Sequence, residues 1–129
     1  MPAPSAKPIA PGVSYNASAG AAIGQYAALK QGASEGLVIE TSAADTICVG
    51  FVHTDSYALG EGVTVFTSGV VWAEAAGAVT LGVRLETGTA GRVQAAAATD
   101  KIGGTAMSAC SNAGERVAVL IQLSGQMSA

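Results

Sequence analysis

The sequence predicts an all-β chain assembled from two copies of one unit behind an extended N-terminal arm. Three observations predict it. Apolar residues recur with a period of two in short runs bounded by Gly, Ser, Asn or Asp, the pattern of half-buried strands separated by turns. The stretch Ala58-Leu-Gly-Glu-Gly-Val-Thr-Val65 returns as Ala113-Gly-Glu-Arg-Val-Ala-Val119. All four prolines lie within Met1–Val13.

The arm comes first. Proline fixes φ and removes a backbone donor, so residues 1–14 read as an extended, polyproline-like segment and not as part of the core. Strand patterns follow: Ile47, Val49 and Phe51 alternate with polar or small residues, as do Leu81, Val83 and Leu85. At the end of the chain Val117, Val119, Ile121 and Leu123 share one strand face. The alanine-rich patches, residues 73–78 and 95–98, read as loops or at most a short helical turn, being too short for a helix and flanked by β patterns.

Sliding the chain on itself extends the echo. At an offset of 55, Gly36 falls on Gly91, Val38 on Val93, Asp45 on Asp100 and Ile47 on Ile102. One residue then drops out, and Gly60-Glu61 falls on Gly114-Glu115, Val63 on Val117 and Val65 on Val119. Upstream, Ala19-Gly-Ala matches Ala76-Gly-Ala loosely, and His53 is matched by Ser108. This reads as an internal duplication, with copies at about 15–69 and 70–125 in one domain, 15–129. Each copy is a β-meander with one apolar face to bury, and two of them pack into a small barrel or sandwich.

Composition narrows function. Half of the 129 residues are apolar and 12% are charged, which excludes a disordered chain and leaves a weakly charged surface suited to burial in an assembly. The net charge of −3 offers no basic footprint for nucleic acid. No apolar run reaches the length of a membrane span, and no signal peptide is visible. Cys48 and Cys110 lack metal-ligand spacing and read as reduced thiols in or near the core, a disulfide being the lesser alternative.

Candidate chemistry is sparse. A symmetric pairing of Glu61 with Glu115 would resemble a glycosidase dyad, but a turn acid near a cation such as Arg116 explains each without catalysis. His53 is a lone histidine without a ligand partner, and Trp72 reads as a core or subunit-interface anchor before a ligand platform. Gly60-Glu-Gly62 and Gly103-Gly104 precede no helix and carry no Gly-Lys-Ser/Thr, so no phosphate loop is present. Ala98-Thr-Asp-Lys-Ile102 resembles the Thr-Asp-Lys turn of lipoyl and biotinyl carrier domains, which would place the modified amine on Lys101. The other copy has Thr46 there, so the scaffold does not need the lysine. The chain therefore reads as no enzyme, without cofactor or metal.

The segments "GLV", "ADTICVGFVHTDSYALGEGVTVFTSGVVW" and "AGRVQAAAATDKIGGTAMSACSNAGERVAVLIQL" resemble the small capsid decoration, or cement, proteins of tailed bacteriophages, the group that includes the head-stabilising protein of phage lambda. The resemblance covers residues 19–123 and rests on the order and duplication of Gly, Ala and Val spacings. It implies a β-barrel or β-tulip-like domain that clusters as a homotrimer, or else a dimer, on the outer capsid surface of the virion after synthesis in the host cytoplasm. There it would bind the major capsid protein and cement neighbouring subunits of the expanded shell, with no role for nucleic acid or membrane. In that family the arm lies along the shell, so the implied contacts are Lys7, Pro8, Ile9, Pro11 and Val13, with Tyr15 next to them. Prolines interrupt strand addition, which makes side-chain contact through Ile9, Val13 and Tyr15 an equal alternative. A fibre-associated β-module that projects from the particle is the other structural reading.

Overall fold

The computed structural model describes residues 11–42, 47–96 and 103–123. The candidate contacts Lys7, Pro8 and Ile9, the paired Asp45 and Asp100, and Lys101 of the carrier-like turn lie outside the described residues.

The described chain is all-β. Five strands from the first half, β1 (Ser14–Ala19), β2 (Ala28–Gln31), β3 (Leu37–Glu40), β4 (Gly50–Phe51) and β5 (Gly62–Phe66), close into a barrel in the order β1-β3-β2-β4-β5. Five from the second half, β6 (Val70–Glu74), β7 (Arg84–Thr87), β8 (Val93–Ala95), β9 (Gly104–Ala106) and β10 (Arg116–Ile121), form a second sheet in the order β6-β10-β9-β7-β8. Strands are thus not laid down in chain order within a half. β2 and β3 make a hairpin, and β1 returns to run parallel to β3 at Ser18 and Ala19 while pairing antiparallel with β5. The second sheet repeats the parallel closure through one bridge, Ala75 to Val93.

The two halves share their hydrogen bonds residue for residue. Ser14–Ser18 pair with Phe66–Gly62 as Val70–Glu74 pair with Leu120–Arg116, and Leu29–Gln31 pair with Glu40–Val38 as Leu85–Thr87 pair with Ala95–Val93. The offset is therefore 56 through β1 and β2, 55 through β3 and 54 from β4 onward. This corrects two alignments. Ala19 corresponds to Ala75, not Ala76, since the N–H groups of Ala19 and Ala75 donate to the Glu61 and Glu115 carbonyls in turn (2.9 Å each). His53 corresponds to Met107, not Ser108, since the preceding residues Val52 and Ala106 donate to the Ala27 and Val83 carbonyls.

Local sequence explains most strands but misplaces some. Ala73 and Ala95, assigned above to loops, lie in β6 and β8, because cross-strand pairing decides a strand more than alanine's propensity does. Ile47 and Val49 precede the short β4, and Leu81 sits in a turn before β7, so those alternations mark the approaches to strands. Gly50 and Gly104 are required by close approach. A Cβ at Gly50 would lie 2.8 Å from the Phe66 carbonyl oxygen, and one at Gly104 would lie 2.5 Å from that of Leu120.

Two apolar clusters fill the interior. One gathers Ala19, Ile23, Leu29, Val38, Val52, Val63 and Val65 inside the first barrel. The other gathers Val71, Val79, Leu85, Val93, Val117, Val119 and Ile121, and takes in Ala28, Cys48 and Phe51 from the first half. Strand alternation makes this possible: Leu29 and Val52 point into the first barrel while Ala28 and Phe51, one residue earlier, face the second. Each buried valine stabilises by about 1.5–3 kcal/mol. Hydrogen bonds at Thr41 also tie the halves: its buried hydroxyl donates to Gly88 O (2.9 Å), and Gly91 N–H donates to Thr41 O (2.9 Å).

Candidate contact edge and the cleft around Arg116

Of the six sequence-derived contact residues, the structure describes Pro11, Val13 and Tyr15. These residues are held in place. Pro11 bridges Gly69; Gly12 N–H donates to Ser68 O (3.0 Å), Val13 N–H to Ser68 Oγ (2.8 Å), and Thr67 N–H to Val13 O (2.9 Å). The described part of the arm thus prolongs the β1–β5 ladder along the link between the halves, and Ser14 already belongs to β1.

Val13 is 67% exposed and Tyr15, on the same strand face, 41%. The Tyr15 hydroxyl reaches the Val49 carbonyl (3.4 Å), two residues beyond the exposed Ile47. Burial, with a smaller contribution from neighbouring Cys48, raises the Tyr15 pKa, so the phenol stays neutral and able to donate. β3 meets β1 only at Ser18 and Ala19. Along Ser14–Ala17 the edge of β1 facing away from β5 therefore has no partner strand among the described residues, the arrangement that accepts an added strand.

The repeated glutamates act alike and apart. Glu61 Oε1 accepts the Ala58 N–H (2.6 Å), while Glu115 Oε1 accepts those of Ser111 (2.8 Å) and Asn112 (3.0 Å). Those backbone donors hold the Glu115 pKa below its ordinary value. Each carboxylate is spent on its own turn, and Glu115 does not pair with Arg116.

Arg116 turns to the aromatics instead. Its guanidinium carbon stands 5.0 Å from the Trp72 ring centroid and 5.6 Å from that of Tyr26, with Nη1 donating to the Tyr26 hydroxyl oxygen (3.4 Å). Trp72 is thus half-buried on β6 and neither a core nor a free surface residue. Arg116 is the wall between two clefts of about 300 Å³ each, one lined by Trp72, Ser108 and Glu115, the other by Tyr26, Glu40, Glu74 and Ala90. Nearby, Glu40 Oε2 accepts the Gly24 N–H (2.8 Å) and Glu74 pairs with Arg92 (3.3 Å). Local sequence patterns miss this cluster, because Tyr26 and Arg116 are 90 residues apart.

His53 packs edge-on against Phe66 (centroids 6.2 Å apart), and burial lowers its pKa, opposed in part by Asp55. Cys48 and Cys110 are both free thiols. Among the described residues no group of three His, Cys, Asp or Glu side chains could hold a metal ion, and no helix is long and apolar enough to cross a membrane.

No family model matches the chain, and no curated protein matches it. Among solved structures, the head fibre gp8.5 N base of bacteriophage phi29 shares the fold: 20% identity over 88% of this chain and 96% of that one, with a TM-score of 0.66. The structural likeness is therefore to a phage head-fibre base, and it does not single out the head-stabilising family that the sequence resembles.

Proposed function

We propose that this chain is a structural protein of a phage virion, bound to the outer face of the head shell through the edge formed by the arm and β1. The observation that carries the reading is the fold shared over nearly the whole chain with a phage head-fibre base. Three further features support it. Val13 and Tyr15 are exposed apolar or aromatic groups beside a strand edge that has no partner among the described residues, a combination suited to a protein partner. The surface is weakly charged, and many copies on a repeating lattice turn modest single contacts into firm attachment. The partner is the major capsid protein, the chain associates with itself as a homotrimer, and catalysis, cofactor and nucleic acid have no part in this reading.

Two finer readings divide on mechanism. As a cement protein it bridges neighbouring capsid subunits and stabilises the expanded shell by binding that state alone. As the foot of a projecting fibre it binds without bridging, and the likeness to a fibre base favours this second form. Mixing the protein with expanded, undecorated shells of its own phage and measuring co-sedimentation tests the common claim. Binding that is weakened by Val13→Asp with Tyr15→Ala supports it; no binding to those shells overturns it. Imaging of the bound shells then separates the two forms, since cement spans neighbouring subunits whereas a fibre foot does not bridge them and carries a projection.

The carrier reading at Lys101 has its own test. Intact mass after co-expression with lipoylating and biotinylating enzymes would reveal modification of that lysine.

A further inference from the structure

We infer that the two clefts flanking Arg116 form one binding site for a neutral saccharide. The inference is independent of how the protein attaches to a particle.

The first argument is chemical. A sugar ring offers an apolar C–H face and a belt of hydroxyls that both donate and accept. The clefts present the matching set: the Trp72 ring on one side and the Tyr26 ring on the other, a planar guanidinium between them, and carboxylates at their walls. Among the described residues Arg116 makes no ion pair, so most of its five N–H donors remain for a ligand while the two rings fix its plane. Glu40 and Glu74 are each anchored by a hydrogen bond or ion pair of their own, which orients them and leaves acceptor capacity unused.

The second argument is exclusion by charge and lining. Three carboxylates, Glu40, Glu74 and Glu115, stand against two guanidiniums, Arg92 and Arg116, so a polyanion gains nothing here. No Leu, Ile, Val, Met or Phe lines either cleft, so an aliphatic peptide anchor finds no wall.

The third argument is backbone strain. Among the described residues only two that are not glycine have a left-handed φ, Tyr26 (63°) and Ala90 (57°), and both line the same cleft. The position matching Tyr26 in the other half is Gly82, at φ 85°. The fold there is satisfied by glycine, so the first half carries a strained phenol that its backbone does not require. Its ring goes to the cleft.

Titration of the 15N-labelled protein with methyl glucoside, methyl galactoside and N-acetylglucosamine, with glucuronate as the charged counterpart, tests the site by NMR. At least one neutral sugar is expected to shift, saturably, the amides of Gly24–Tyr26 and Gly114–Arg116 and the Trp72 indole, with a Kd on the order of millimolar. Tyr26→Gly and Arg116→Lys are each expected to weaken that binding roughly tenfold. Tyr26→Gly is expected to keep the fold, because Gly82 already occupies a left-handed conformation at the matching place. The inference is overturned if no neutral sugar shifts these signals up to about 50 mM. It is equally overturned if both variants bind as the parent does, or if glucuronate binds more tightly than every neutral sugar.

Discussion

Tyr26 and Gly82 occupy matching positions with φ of 63° and 85°, which allows strain and contact to be weighed against each other. A non-glycine residue in the left-handed region costs about 1–2 kcal/mol. Replacing Tyr26 by Gly removes that cost and adds about 0.5–1 kcal/mol for the freedom glycine gains in the unfolded chain. It also removes the stacking on Arg116, worth about 0.5–1 kcal/mol at an exposed guanidinium. The long Tyr26 hydrogen bond at 3.4 Å lies beyond good geometry and adds little. These terms cancel to within about 1 kcal/mol, so Tyr26→Gly should be close to neutral. Gly82→Ala regains that cost of unfolded-chain freedom, roughly 0.5–1 kcal/mol, but gains no contact. A Cβ there meets nothing within 4 Å, so it neither packs nor clashes, and strain of about 1–2 kcal/mol leaves a net loss of about 0.5–1 kcal/mol. For a chain of 129 residues this corresponds to a fall of about 2–4 °C in Tm, against little change for Tyr26→Gly. Thermal melts of both variants read the difference. A loss of more than about 2 kcal/mol in Tyr26→Gly would show that the ring is a structural staple between the halves, and the reasoning that it is held in strain for the cleft would fail.

Three other outcomes follow from the geometry. Gly50→Ala and Gly104→Ala each force a methyl against a neighbouring carbonyl, and each should cost at least about 2–3 kcal/mol in urea denaturation, far more than Gly82→Ala. Glu115 has a folded pKa below its unfolded one, so its contribution to stability is present above the unfolded value and is lost as pH falls through the folded value. Glu115→Gln should therefore flatten the stability loss measured by denaturant melts between neutral and acidic pH. Burial pushes the Cys48 thiol up to about 11, so native protein treated with iodoacetamide at mildly alkaline pH should be alkylated at Cys110 first and at Cys48 only on unfolding, as read by peptide mass.

The sequence revealed what periodicity and punctuation encode. Val117, Val119 and Ile121 are buried along β10 as alternation requires, and the Gly-Glu pairs make the same turn twice, with Gly60 and Gly114 at φ 86° and 88°. β1 was not legible as a strand. Ser14-Tyr-Asn-Ala-Ser-Ala19 does alternate, but its apolar set is one phenol and two alanines, too weak a strand signal without the register that β5 supplies. The parallel closure of β1 on β3 was hidden as well, because pairing between distant segments leaves no local period. The cleft was out of reach for a further reason. The upstream sequence echo, Ala19 on Ala76, lies one residue off the backbone match of Ala19 with Ala75, so it hides the Tyr26–Gly82 mismatch that marks the cleft.

The duplicated framework itself separates architecture from function. Where both halves have the same residue at matching places, as at Gly50 and Gly104, Val65 and Val119, or Glu61 and Glu115, the shared hydrogen bonds and packing account for it in full. Nothing else need be asked of those positions. Where the halves differ at a matching place, the common backbone cannot be the cause. Gln25 becomes Leu81 and His53 becomes Met107, so that a polar rim in one half, with Gln25 bonded to the Thr54 carbonyl (2.7 Å), is replaced in the other by side chains 65% and 41% exposed. Glycine at 82 becomes tyrosine at 26 against the grain of its φ. Asn16 on β1 becomes Trp72 on β6, which brings the ring to Arg116. Each departure puts a side chain on the surface that the repeated backbone does not need. Recognition, whether of a shell or of a sugar, must be carried by such departures, because a surface built wholly from the repeat would present the same face twice.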